Sequence, residues 1–198
     1  MQRLDRERLS HARSYAAQGT GPLYQRDYWA VIPQCRLAPS EFGAFLAAHF
    51  WELSPPELAA FERTDGTGRP LEVGDEMRVH IRFAGTFGVR VIHRDRNSIT
   101  VATLQGHPEA GRITFGAYRN DWGKVIFHIR SRARTSTATR LAEFVAMGEA
   151  MQTNTWMDFV ERVGRAVGRG VEGSIHEETV VRYHDDDEER PTFVARGD

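Results

Sequence analysis

Residues 124–167 read "KVIFHIRSRARTSTATRLAEFVAMGEAMQTNTWMDFVERVGRAV". The first part alternates. Phe127 and Ile129 fall on one side, and His128, Arg130, Arg132 and Arg134 on the other, as in a strand with one apolar face. Over 139–167 the spacing becomes three and four, through Leu141, Phe144, Val145, Gly148, Met151, Thr155, Phe159, Val163 and Val167. No proline interrupts this run, and "GRGVEGS" (168–174) ends it, so the spacing predicts one long helix directly after a strand.

Four more strand-like runs precede that pair: "EMRVHIRF" (76–83), "GVRVIHR" (88–94), "NSITVATL" (97–104) and "RITFGAY" (112–118). The links between them are short and turn-like. Short links between consecutive strands make antiparallel hairpins. Further upstream, "YWAVIP" (28–33) reads as a first strand stopped by proline. Two helices are expected next. Ser40 caps "EFGAFLAAHFW", with Phe42, Phe45, Leu46, His49 and Phe50 on one face, and Ser54 with Glu57 caps "PPELAAFER" (55–63). Residues 2–18 suggest a short, weakly amphipathic helix. The end of the chain alternates at "ETVVRY" (178–183) and then turns acidic at "HDDDEER" (184–190). This divides the chain into an N-terminal extension (1–23), a main domain (24–170) and an acidic C-terminal tail (171–198), of which 185–198 is read as solvated or swapped.

Each strand has an apolar face that something must cover, and only the last helix is long enough. The fold class expected is therefore α+β: a curved antiparallel sheet wrapped around one long C-terminal helix. The bulk numbers agree with one globular domain. The chain has 198 residues, 40% hydrophobic and 27% charged, with net charge -1. A chain of that length buries roughly 70% of its unfolded surface without disulfides or a structural metal. The near-zero charge selects neither nucleic acid nor an anionic membrane as partner. Lys124 is the only lysine, and the arginine-rich basic side suits carboxylate and phosphate contacts. Cys35 is the only cysteine, which excludes an internal disulfide and any CxxC site. No apolar run approaches the length of a membrane span, and the charged first residues are no signal peptide, so a soluble cytoplasmic protein is expected.

The stretch "TLQGHPEAGRITF" (103–115), followed by "VIFHIRSRAR" and the long helix, resembles the domain-of-unknown-function nineteen-ninety family of the START-like, helix-grip superfamily. Thr103, Leu104, Gly106, His107 and Gly111 carry the resemblance, with Phe115 and the Ser131–Ala133 step; it spans roughly 89–165. Over 24–88 the order of elements is similar rather than the residues. The resemblance implies a helix-grip fold with a cavity between sheet and helix. It carries no catalytic signature, no cofactor and no metal.

Three candidate sites follow. The first is the 105–111 loop, where Gly106 and Gly111 supply unusual backbone angles, His107 fixes the turn and Glu109 is exposed; the alternative is His107 at a cavity mouth, meeting a polar ligand group or acting as an acid/base. The second is a basic sheet face of Arg78, His80, Arg82, Arg90, Arg94, His128, Arg130, Arg132 and Arg134, read first as a solvated face laced with acidic neighbours and otherwise as a docking surface. The third is the cavity itself, lined by Val79, Ile81, Val91, Val101, Phe115, Phe127, Ile129, Phe144, Met147, Gly148, Met151 and Phe159, with His107 beside it. Such a pocket suits a small hydrophobic or amphipathic molecule such as a lipid. The expectation is a binding or carrier module. The alternatives are a cyclase- or hydrolase-like enzyme using His107 or His80 in the same cavity, and an interaction module using the basic face.

Overall fold

The computed structural model describes residues 16–136 and 141–182, and the side chains of the long helix from Gln152 onward. Residues 2–15 of the expected N-terminal helix and the 185–198 tail lie outside the described residues. Ala16–Gln18 form a single 3-10 turn.

The order is β1 (Thr20–Val31), α1 (Phe42–Leu53), β2 (Ala59–Arg63), β3 (Glu76–Ile81), β4 (Gly85–Arg94), β5 (Ser98–Thr103), β6 (Glu109–Arg119), β7 (Val125–Thr135), α2 (Leu141–Val167) and β8 (Glu172–Arg182). All strands join one sheet in the order β2-β3-β4-β5-β6-β7-β1-β8. Every neighbouring pair is antiparallel. The expected five-strand meander is β3–β7, and its apolar face turns inward. Val79, Val91, Val101, Phe115, Phe127 and Ile129 are buried there, in one cluster with Phe159, Val160, Val163 and Val167 of α2.

The second expected helix does not form. Its capping serine does other work: the Ser54 hydroxyl donates to the Ala59 carbonyl. Residues 55–58 turn, closed by Leu58 and Ala59 N–H donating to Pro55 at 3.0 and 2.9 Å. Then β2 pairs with β3, Phe61 opposite Val79. Ala, Leu and Glu favour a helix only weakly, and tertiary burial of alternate residues overrides them. Ala59 and Phe61 bury, with Phe61 edge-on to Phe50 at 5.2 Å.

Nor is Ser40 the cap of α1. It lies in a 3-10 turn, Pro39–Glu41, and the Glu41 carboxylate accepts from Ala38 N–H at 2.7 Å. Of the expected face, Phe42, Leu46 and Phe50 are inaccessible to solvent, while Phe45 and His49 are only partly buried.

β1 begins well before "YWAVIP". It carries the polar run Gln25, Arg26, Asp27, all buried. Alternation sends Arg26 and Tyr28 inward and Gln25 and Asp27 outward. On the outer face Asp27, 3% exposed, accepts from His128 Nε2 at 2.7 Å and from Arg130. Burial alone would raise its carboxyl pKa, but hydrogen bonds from His128, Arg130 and Gln25 outweigh that and hold it below the usual range. The C-terminal alternation belongs to a longer element than expected: β8 pairs with β1, His176 stacked on Trp29 at 5.3 Å.

Candidate ligand cavity between the sheet and α2

The interior has a filled end and a hollow end. Beneath α1, Phe42 stacks on Phe127 at 5.9 Å, and Phe50 contacts Phe115 and Phe159 at 4.9 and 5.6 Å. Phe159 also meets Phe115 at 4.9 Å and Phe127 at 6.3 Å. These rings are fully buried and pack on one another, with Phe50 and Phe115 also bordering the cavity.

Toward the β5–β6 turn the same faces part around a cavity of about 90 Å³. Its apolar wall includes Phe61, Val79, Ile81, Val101, Ile113 and Phe115, with Trp156 from α2. His107, Glu109, Ser131, Gln152 and Thr155 bring polar atoms to it. Of the residues expected to line it, Val79, Ile81, Val101, Phe115 and His107 do. Val91, Phe127 and Ile129 do not; they are fully buried in the core cluster. Phe159 is also core. Gly148 and the side chains of Phe144, Met147 and Met151 fall in the part of α2 whose surroundings are not described.

The loop that carries His107 and Glu109 is a hairpin turn. Gly106 has φ +96, the left-handed conformation expected of it. Gly111 needs no such angle. It is a close approach instead: a Cβ there would lie 2.1 Å from the Arg132 carbonyl oxygen on β7. Thr103 Oγ1 accepts from Gly111 N–H at 3.0 Å, and His107 N–H donates to Leu104 at 3.1 Å. His107 is 7% exposed and edge-on to Phe87 at 5.2 Å. Its Nδ1 lies 3.0 Å from both the N–H and the carbonyl oxygen of Glu109, accepting from the one or donating to the other according to the ring tautomer. The ring therefore closes its own turn while lining the cavity, and Nδ1 is already engaged.

Glu109 is not the exposed residue expected. As the first residue of β6 it faces inward, with its side chain 14% exposed. Its Oε1 lies 3.5 Å from Nη1 of Arg26, a long contact for a charge pair. Burial pushes the Glu109 carboxyl up; the Arg26 charge and a hydrogen bond from Gln152 pull against that without reversing it. Nearby, burial pushes the Tyr28 phenol up to about 12, and Tyr28 Oη sits 3.5 Å from Thr153 Oγ1. Among the described residues, two buried side-chain polar atoms have no hydrogen-bond partner, Arg26 Nε and Gln152 Oε1. Arg26, Glu109 and Gln152 were missed as site residues. The signal available was an arginine in a strand one position out of phase with Asp27, and a glutamine one step along the helix from Met151.

His80 lies elsewhere. It is exposed on the outer face, its Nδ1 3.0 Å from Thr86 Oγ1, and does not reach the cavity. The basic face is largely self-satisfied: Arg90 bonds Glu76, Arg130 bonds Asp27, Arg132 bonds Gln25 Oε1 at 3.0 Å, and Arg94 bonds the Leu71 carbonyl at 2.8 Å. Among the described residues no group of His, Cys, Asp or Glu could hold a metal ion, and no helix is long and apolar enough to cross a membrane.

Solved structures share this architecture. Truncated norcoclaurine synthase from Thalictrum flavum aligns over 74% of this chain and 95% of its own, at 13% identity and a TM-score of 0.51. Major latex-like protein 151 from Panax ginseng aligns over 74% and 99%, at 11% identity and 0.51. The di-domain ARO/CYC StfQ from the steffimycin biosynthetic pathway aligns over 78% of this chain and 52% of its own, at 9% identity and 0.50. At these identities the likeness shows the fold, START-like and helix-grip as the sequence led us to expect. No curated protein matches the sequence. The model of one family covers residues 44–166, and the chain belongs to that family, described as Domain of unknown function (DUF1990).

Proposed function

We propose that this protein binds a small hydrophobic or amphipathic molecule, such as a lipid, between the sheet and α2. One observation carries the reading: an interior packed solid under α1 opens, within the same layer, into an apolar-walled cavity with a few polar groups at one place. An empty apolar cavity of about 150 Å³ admits a benzene ring. A space of about 90 Å³ thus encloses one end of a ligand. The rest lies across the half-buried rim of Ile81, Ile113 and Trp156.

Binding without catalysis is the simpler reading, because the His107 ring is engaged in closing its own turn through the Glu109 backbone. The basic sheet face supports docking less well, since Arg130, Arg90 and Arg132 are engaged by Asp27, Glu76 and Gln25.

The test is native mass spectrometry of the purified protein with a fluorescent lipid, followed by competition in solution. One lipid per chain is expected, with binding lost in Ala133→Leu, which projects extra volume from the cavity wall. No adduct with any apolar probe, or unchanged binding in Ala133→Leu, would contradict the reading.

A further inference from the structure

Three neighbouring inward positions make the hollow. Gly111 of β6 lies opposite Ala133 of β7, and the next inward pair sets Ser131 opposite Ile113. Gly111, Ser131 and Ala133 all line the cavity, and the Ser131 hydroxyl is the only side-chain atom beyond Cβ among them. Position 111 cannot grow, because a Cβ there would lie 2.6 Å from the Ala133 Cα. The cavity floor is therefore nearly bare sheet, two strands wide and one inward repeat long, about 5 Å by 7 Å. It is short, broad and flat.

The walls beside this floor are aromatic. Phe61 of β2, 9% exposed, and Trp156 of α2, half-buried, both border the space. Each is held by a fully buried ring. Phe50 stands edge-on to Phe61 at 5.2 Å and 90°, and Phe115 edge-on to Trp156 at 5.6 Å and 69°. The His107 ring belongs to the same lining and is braced edge-on by Phe87 at 5.2 Å. Rings fixed by other rings offer a guest preset faces and edges, with little further ordering on binding.

This shape separates a ring from a chain. A chain entering a space of about 90 Å³ gives up the freedom of several rotatable bonds, whereas a ring has none to lose. A saturated ring is puckered and gains little from aromatic neighbours beyond contact area. A planar aromatic ring gains an extra attraction from each wall ring that it meets edge-on or in offset stacking.

We propose that the cavity selects an aromatic ring as the buried end of its ligand, lying on the floor of Gly111, Ser131 and Ala133 against Phe61 and Trp156. This rests on the cavity being a ligand site and names the class of ligand it prefers. Alkyl chains still enter, more weakly.

Toluene, methylcyclohexane and heptane have the same number of carbons and separate aromaticity, rigidity and chain flexibility. Each is titrated into the whole protein and followed by methyl NMR. Its affinity is divided by its own measured partition from water into hexadecane, which removes bulk hydrophobicity. On that scale toluene is expected to lead methylcyclohexane by about tenfold, the worth of two aromatic contacts beyond area burial, with heptane below both. In Trp156→Leu, which trims a half-buried ring, the toluene lead should fall about threefold or more while methylcyclohexane binds as before. Phe61→Leu gives the same comparison on the edge strand should Trp156→Leu not fold. Methylcyclohexane or heptane matching toluene on this scale overturns the inference and leaves the cavity as a ligand site. So does a toluene lead that is undiminished in both variants. If none of the three binds, both the inference and the proposed function fall.

Discussion

The two ends of the sheet–α2 interior are built from the same strands and the same helix, yet one is solid and the other hollow. Under α1, Phe42, Phe50, Phe127 and Phe159 interlock. At the β5–β6 end no second helix closes the space, because 55–63 turns and becomes edge strand β2. Beside the rings of Phe61, Phe115 and Trp156 the hollow end holds Glu109, Gln152, Ser131 and Thr155. Filled volume supplies stability; unfilled volume with polar groups on its wall supplies a place for a ligand. The two ends should therefore answer substitution in opposite ways.

The largest effect is expected at the solid end. Phe159→Ala removes a ring with four aromatic neighbours. It should lose about 3–5 kcal/mol in urea unfolding. A loss under about 1 kcal/mol would mean that this end is not packed as described.

Two buried acids sharpen the contrast next. Asp27 has a depressed pKa in the folded state, so it contributes stability above the unfolded carboxylate pKa, and that contribution disappears as pH falls through its lower folded value. Asp27→Asn should cost roughly 1.5–3 kcal/mol at neutral pH, with the gap to wild type closing on acidification below about pH 4. Glu109 has the opposite sign: its folded pKa is raised, so its contribution is present in acid and is lost as pH rises through the folded value. Glu109→Gln should match or exceed wild type in stability at neutral pH and lose that advantage in acid. Unfolding midpoints measured from pH 3 to 8 distinguish the two. Parallel profiles would break the comparison.

Added volume gives smaller effects. Ala47→Leu at the solid end, where Ala47 is fully buried, should cost about 1–3 kcal/mol by overpacking. Ala133→Leu at the hollow end should cost less than about 1 kcal/mol, because open space receives the side chain. Equal costs in thermal unfolding would mean that the cavity is closed in solution.

The fold was legible where one rule governed. Period two gave β3–β7, the three–four stripe gave α2, and the short links gave the hairpins. The readings that failed are those where tertiary partners decide. "PPELAAFER" has helix-forming residues, yet β3 offers a free edge and Phe50 a ring for Phe61. Arg26 and Asp27 look like surface residues, but one pairs with Glu109 83 positions away and the other with His128 101 positions away. Glu109 seemed exposed because it follows a His-Pro turn. Its face is set by the register of β6 on β7, where it lies opposite Thr135. A strand's apolar residues announce which side is inside. They do not announce which inner positions are filled, and so Val101 and Ile129 looked alike although only Val101 meets the cavity.

The account's central claim is that the hollow end, and not the solid one, takes an apolar molecule. Methyl NMR of the wild-type protein titrated with 1-octanol tests it most directly. The account predicts saturable shifts at Ile81, Val101 and Ile113, with Leu46, Val163 and Val167 unmoved. Saturable shifts confined to the α1 end, or none at Ile81, Val101 and Ile113 at saturation, would contradict it.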